Sequence, residues 1–190
     1  GGTSAGMAIQ GGAYFTAEKG TIRSEAALFN PYNDLITVDT AQFLQNRWLE
    51  GVITDTHYDN PDRKGRQVVF MARMFNDFGT NPKGIACDEY TAVCIDTTGM
   101  AAVFGGFPAY DDNAYFLQTN CRLNQQGPEL LTEGTPLHWD LGGRALKVYA
   151  VKGTNDGRNS FDLADWETGN GGNWENWYVR DGELFSSPSA

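Results

Sequence analysis

The segment Gly2-Thr3-Ser4-Ala5-Gly6 governs the reading of this chain. It fits the G-x-S-x-G nucleophile elbow, a sharp strand-to-helix turn that lifts a serine hydroxyl above a sheet edge. The reason for the pattern is steric. The backbone is strained at the serine, and side chains two residues to either side would collide, so glycine stands there. Ser4 is then the candidate nucleophile, and the Ala5 N–H is a candidate oxyanion donor. A short helix is expected from Ala5 toward Phe15, weakened by Gly11-Gly12. The competing reading of the bare pattern is a Gly/Ser-rich terminus.

The place of the motif matters as well. An elbow needs a strand before it, and a second oxyanion donor ordinarily comes from an earlier loop. Only three residues precede Ser4. The expectation is an N-terminal segment of the same hydrolase, either missing from this chain or present as a second polypeptide.

Working outward, the chain of 190 residues has the length of one ordinary domain. A chain of this size buries roughly two thirds of its unfolded surface. Hydrophobic residues make up 41% and aromatics 13%, which excludes a disordered chain. A net charge of −10 repels phosphate backbones, so nucleic acid is not an expected partner. No apolar run of about 18 residues offers a membrane span. Cys87, Cys94 and Cys121 are an odd set, so at least one thiol is unpaired within the chain, and their spacing offers no metal site. Low lysine content, five tryptophans and an Asn/Gly/Ser-rich C-terminus read as a secreted or periplasmic protein, with the cytoplasm left open. A homodimer is also left open.

Periodicity places strands at Leu35–Val38, Gly51–Thr54, Lys83–Cys87, Thr91–Ile95 and Met100–Phe104. Further strands follow at Ala114–Gln118, Pro136–Trp139, Ala145–Val151 and Trp177–Val179. Asp96-Thr97-Thr98-Gly99 reads as a hairpin turn, and Arg180-Asp181-Gly182-Glu183 as another. Gly65–Asp77 carries the apolar stripe Val68, Val69, Met71, Ala72 and Phe75 at helical period and ends at Gly79. Gly169-Asn170-Gly171-Gly172 reads as a loop, and residues 186–190 as a frayed tail or the start of a linker.

A serine nucleophile needs a base, and the chain has two histidines. His57 follows a short strand directly, where binding residues collect in α/β folds. His138 lies inside a strand-like run and reads as structural. Asp55, Asp59, Asp62, Arg63 and Arg66 surround His57 in sequence. The two arginines disfavour a bound cation there and suit an anionic substrate group, which arginine can grip with two parallel hydrogen bonds. No metal and no cofactor is expected.

Three motifs in order carry a resemblance: Gly2-Thr3-Ser4-Ala5-Gly6; Asp55-Thr56-His57-Tyr58 with Arg63 and Arg66; and Gly84-Ile85-Ala86-Cys87-Asp88-Glu89-Tyr90-Thr91-Ala92. Together they resemble the cyanophycinase-like serine peptidases, a family that includes alpha-aspartyl dipeptidases. The resemblance spans residues 1–105 and is loose beyond. It implies a flavodoxin-like α/β fold, a three-layer sandwich related to class I glutamine amidotransferases with a β-rich C-terminal part, residues 1–185 being the C-terminal portion of that single serine hydrolase domain. It also implies a serine exopeptidase that cleaves aspartyl or β-aspartyl (isopeptide) bonds in a peptide substrate. Ser4 would form the acyl-enzyme, His57 would be the base, and Arg63 and Arg66 would line the substrate pocket with Asp55 and Thr56.

The family places an acid between the serine and the histidine. Glu25, drawn inward by Ala26-Ala27-Leu28-Phe29, is the expected third member of the triad, ahead of Glu18. Asp55 is expected to orient His57 from the same strand face, and Asp88 and Glu89 to serve in structural hydrogen bonding. Two positions depart from the family pattern: Thr56 replaces a glutamine, and Pro61 replaces an arginine. They motivate a second reading, an inactive peptide-binding module.

Overall fold

The structure, a computed structural model, describes residues 1–40, 44–121 and 126–189. In chain order its elements are α1 (Ala5–Ala8), β1 (Tyr14–Phe15), α2 (Ser24–Phe29), β2 (Val38–Asp39), β3 (Val52–Thr56), α3 (Lys64–Phe78), β4 (Lys83–Cys87), β5 (Thr91–Ile95) and β6 (Met100–Gly105). There follow β7 (Asn113–Thr119), β8 (Leu146–Lys152), β9 (Asn159–Asp162), β10 (Gly169–Asn170), β11 (Gly172–Arg180) and β12 (Glu183–Pro188).

A six-stranded sheet in the order β12-β11-β8-β7-β4-β3 forms the centre. Its core alternates by face, as the two-residue period of a strand requires. Tyr115 and Leu117 of β7 pack with Val68, Phe70 and Met71 of α3. Their neighbours Ala114 and Phe116 pack the other way, with Val103 and Phe161 of a four-stranded sheet, β10-β9-β6-β5. The layers are therefore helix, sheet, sheet.

The expected flavodoxin-like, glutamine-amidotransferase-like sandwich is not what forms. Strand accounts for 37% and helix for 14%, so there is too little helix to cover both faces of a parallel sheet. Among the described residues of the large sheet, β3–β4 is the parallel pair, joined by α3; the other neighbours run antiparallel. After β4 the chain returns through hairpins such as β5–β6. A hairpin turn is too short to hold the crossover helix that parallel strands need. The second face is covered by strands instead.

Local expectations fared unevenly. Helix α3 ends where Gly79 adopts a left-handed backbone (φ 63°). Strands β4 and β5 have the expected bounds. Leu35 lies in a turn, and of Leu35–Val38 only Val38 is in a strand, as the first residue of β2, which pairs with β1. Within Pro136–Trp139, His138 and Trp139 form isolated bridges to Leu130 and Val179. Of the expected loop 169–172, Gly169–Asn170 form β10 and Gly172 opens β11, while Gly171 between them is a bend with φ 81°. Residues 186–188 belong to β12 rather than to a frayed tail. The first helix stops at Ala8, short of the expected Phe15. Among the described residues no helix is long and apolar enough to cross a membrane.

Candidate active site

Ser4 has φ 51° and ψ −124°, a backbone state that a residue with a side chain rarely adopts and that costs about 1–3 kcal/mol. Such strain persists only where surrounding structure imposes it. Here the turn is closed by Gly6 N–H donating to Thr3 O (2.9 Å) and Met7 and Ala8 N–H donating to Ser4 O (2.9 and 3.0 Å). It is pinned to β3 by the Thr54 hydroxyl, which donates to Met7 O at 2.7 Å. The two glycines of the motif differ. A Cβ on Gly2 would sit 2.4 Å from the Gly6 carbonyl carbon, whereas a Cβ on Gly6 would meet nothing within 4 Å. Close approach demands glycine only at position 2.

His57 follows the last residue of β3 and also has a positive φ, 51°. That turn takes its ring out of the strand's alternation. Nε2 lies 3.1 Å from Ser4 Oγ, and Nδ1 lies 2.8 Å from Glu89 Oε1. A carboxylate only accepts, so Nδ1 carries the proton and Nε2 faces the serine as an acceptor. Serine, imidazole and carboxylate thus form one chain of hydrogen bonds. The His57 and Glu89 side chains are 38% and 40% exposed, so the chain opens to solvent on one side.

The carboxylate beside His57 is that of Glu89, not that of Glu25. Glu25 is exposed in the first turn of α2, and Glu18 is exposed as well. Glu89 reaches His57 because β3 and β4 are parallel neighbours in register, Thr56 opposite Cys87. The residues just past both strands therefore emerge at the same sheet edge, the usual place for a site in a parallel unit. A signal for this was present in the sequence: strand, fifteen-residue helix, strand reads as a βαβ unit. That reading puts the end of β4 beside His57.

Neither Arg63 nor Arg66 lines the cleft onto which Ser4 and His57 open. Arg66 is buried, donating from Nε to Asp55 Oδ2 at 2.7 Å and from Nη2 to Asp55 Oδ1. Its remaining nitrogen donates to Thr21 Oγ1 and the Ile22 carbonyl. Asp55 is 2% exposed and is held in this pair, so it does not orient His57. Arg63 donates to the Thr56 carbonyl at 3.0 Å. The other histidine, His138, faces Asp181 at 3.2 Å, bridged in a separate part of the fold.

Ser4, Thr56, His57 and Glu89 open onto a cleft of about 820 Å³. Strand β5 lines one wall, and Met7, Leu49, Ile85 and Val93 give it an apolar floor. Its charged lining among the described residues is acidic, Asp88 and Glu89, and neither Arg63 nor Arg66 contributes. A second cavity of about 570 Å³, beside Lys64, Tyr115 and Trp177, holds no histidine.

No family model and no curated protein matches this chain.

Proposed function

We propose that this protein is a serine hydrolase of the peptidase kind, working through an acyl-enzyme on Ser4. The observation that carries this is the unbroken Ser4–His57–Glu89 hydrogen-bond chain, set at a strained turn and opening onto a cleft. The three motifs shared with cyanophycinase-like serine peptidases add support.

In this reading His57 Nε2 takes the Ser4 hydroxyl proton as Oγ attacks the substrate carbonyl carbon. Glu89 accepts from Nδ1–H, holds the ring in the tautomer that can act as base, and stabilises the imidazolium that forms. The oxyanion develops beside the Ala5 N–H. That amide opens α1, and the following three amides are committed to Thr3 and Ser4 carbonyls. His57 then returns its proton to the leaving amine. Water, activated by the same nitrogen, hydrolyses the ester.

The aspartyl specificity that the resemblance implies lacks its arginines in this cleft. An apolar floor with acidic residues at one end suits an acyl group with a neutral or cationic side chain. The decisive experiment is labelling with a fluorophosphonate probe followed by intact mass and peptide mapping. The expected result is one adduct, on Ser4, absent from Ser4→Ala and strongly reduced in His57→Ala. An unlabelled wild-type protein, with no turnover of peptide or ester substrates, overturns the reading.

A further inference from the structure

Three carboxylates from distant parts of the chain meet beside the triad. Asp59 lies just after His57, Asp88 just before Glu89, and Asp112 just before β7. Each offers an oxygen, and these oxygens lie within 4.8 Å of one another. The sequence places Asp59 among arginines, which argues against a cation. In the folded chain Arg66 is taken by Asp55 and Arg63 by the Thr56 carbonyl, so Asp59 faces other acids instead.

Asp88 supplies a second, separate sign. The residue is 4% exposed. Its Oδ2 accepts from the Asn113 N–H at 2.9 Å and from the Tyr115 hydroxyl at 3.3 Å. Its Oδ1 is buried and has no hydrogen-bond partner. A buried carboxylate oxygen with open lone pairs, next to two more carboxylates, calls for a positive charge. Two lysines stand close enough for their charge to reach the cluster, Lys64 toward Asp88 and Lys152 toward Asp112, but neither hydrogen-bonds Asp88 Oδ1. Lys152 pairs with Asp111 Oδ1 and donates to the Asp111 carbonyl, each at 2.8 Å, and the Lys64 ammonium sits 5.1 Å from the centre of the Tyr115 ring.

We propose that Asp59, Asp88 and Asp112 bind a calcium ion. The donor set is all oxygen, with no imidazole or thiolate, which selects a hard cation. Calcium holds oxygens at about 2.3–2.6 Å, so oxygens across one ion stand up to about 5 Å apart. Magnesium, at about 2.0–2.1 Å, needs a tighter set. Water completes the shell on the exposed Asp59 side. The ion ties the segment after His57 to the segment before Glu89, and both to the approach to β7. It thereby positions the base and its carboxylate partner without touching substrate. The site does not depend on the hydrolase reading, since binding is measured directly.

The test is calorimetric titration of the chelator-treated full chain with calcium chloride, and thermal melting in calcium against EDTA. Expected is one ion per chain, with Kd on the order of 10⁻⁴–10⁻³ M. A rise in Tm of about 3–6 °C at saturation should accompany it. Asp59→Asn and Asp112→Asn, at exposed and half-buried positions, should melt normally in EDTA and lose the calcium response. Asp111→Asn is the control and should keep it. No heat up to about 5 mM calcium, with identical melting in EDTA, overturns the proposal. So does an undiminished calcium response in folded Asp59→Asn and Asp112→Asn.

Discussion

His57 Nδ1 lies 2.8 Å from Glu89 Oε1, although the two residues are 32 positions apart in the chain. The pairing follows from two parallel strands ending at the same sheet edge, and it separates Glu89 from the other glutamates. Glu89→Gln keeps the shape but no longer selects the tautomer with a free Nε2. We expect kcat to fall roughly 10³–10⁴-fold with little change in KM. Glu25→Gln should leave both unchanged. Steady-state kinetics on any substrate the protein turns over checks the pair.

The two glycines of the turn should respond in opposite ways. Gly2→Ala drives a Cβ into the Gly6 backbone at 2.4 Å, so the turn must open and move Ser4 Oγ away from His57. Probe labelling should drop at least tenfold, since misplacement by about 1 Å costs on the order of 10²-fold. Gly6→Ala has open space and sits in α1. It should retain labelling and gain about 0.4–1 kcal/mol of stability, read by denaturant melting.

Arg66 and Asp55 should behave as core residues. Arg66→Ala leaves a buried carboxylate without its partner and should cost about 3–5 kcal/mol. Asp55→Ala should cost a similar amount by stranding the guanidinium. The double variant Asp55→Leu/Arg66→Met should recover much of the loss, because neither charge is then left alone. Chemical denaturation of the three variants gives the answer. A rise in KM at unchanged stability would return Arg66 to the substrate pocket.

Cys87 should resist thiol reagents in the native protein while Cys94 and Cys121, both exposed, react. Burial first, then the charge of Asp88, push the Cys87 thiol up to about 12 from an ordinary 9.0. Between these two values the unfolded chain loses the proton and the folded one keeps it. Stability therefore falls as pH rises through that window, by up to about 1.4 kcal/mol per pH unit. Cys87→Ala should show a shallower fall than the parent from pH 9 upward. Labelling followed by peptide mapping, and denaturation at several alkaline pH values, test both statements.

The features legible in the sequence are those that local physics determines. Crowding at a tight turn marks Ser4 through Gly2, and the end of a short strand marks His57. Helical period and a terminal glycine mark α3, and alternation around a hairpin turn marks β5 and β6. Each depends on neighbours a few residues away. What only the tertiary structure decided depends on which faces and ends meet across long separations. Parallel register brings Glu89, not Glu25, to His57. A positive φ turns His57 away from the face of Asp55. Arg66 points into the core because Asp55 lies on the face of β3 that it shares with Ile53, toward α3. The second layer is sheet rather than helix because the chain after β4 folds back as hairpins, and this same return carries Asp112 to Asp59 and Asp88. Side chains of one type are interchangeable in a linear reading; packing and register distinguish them.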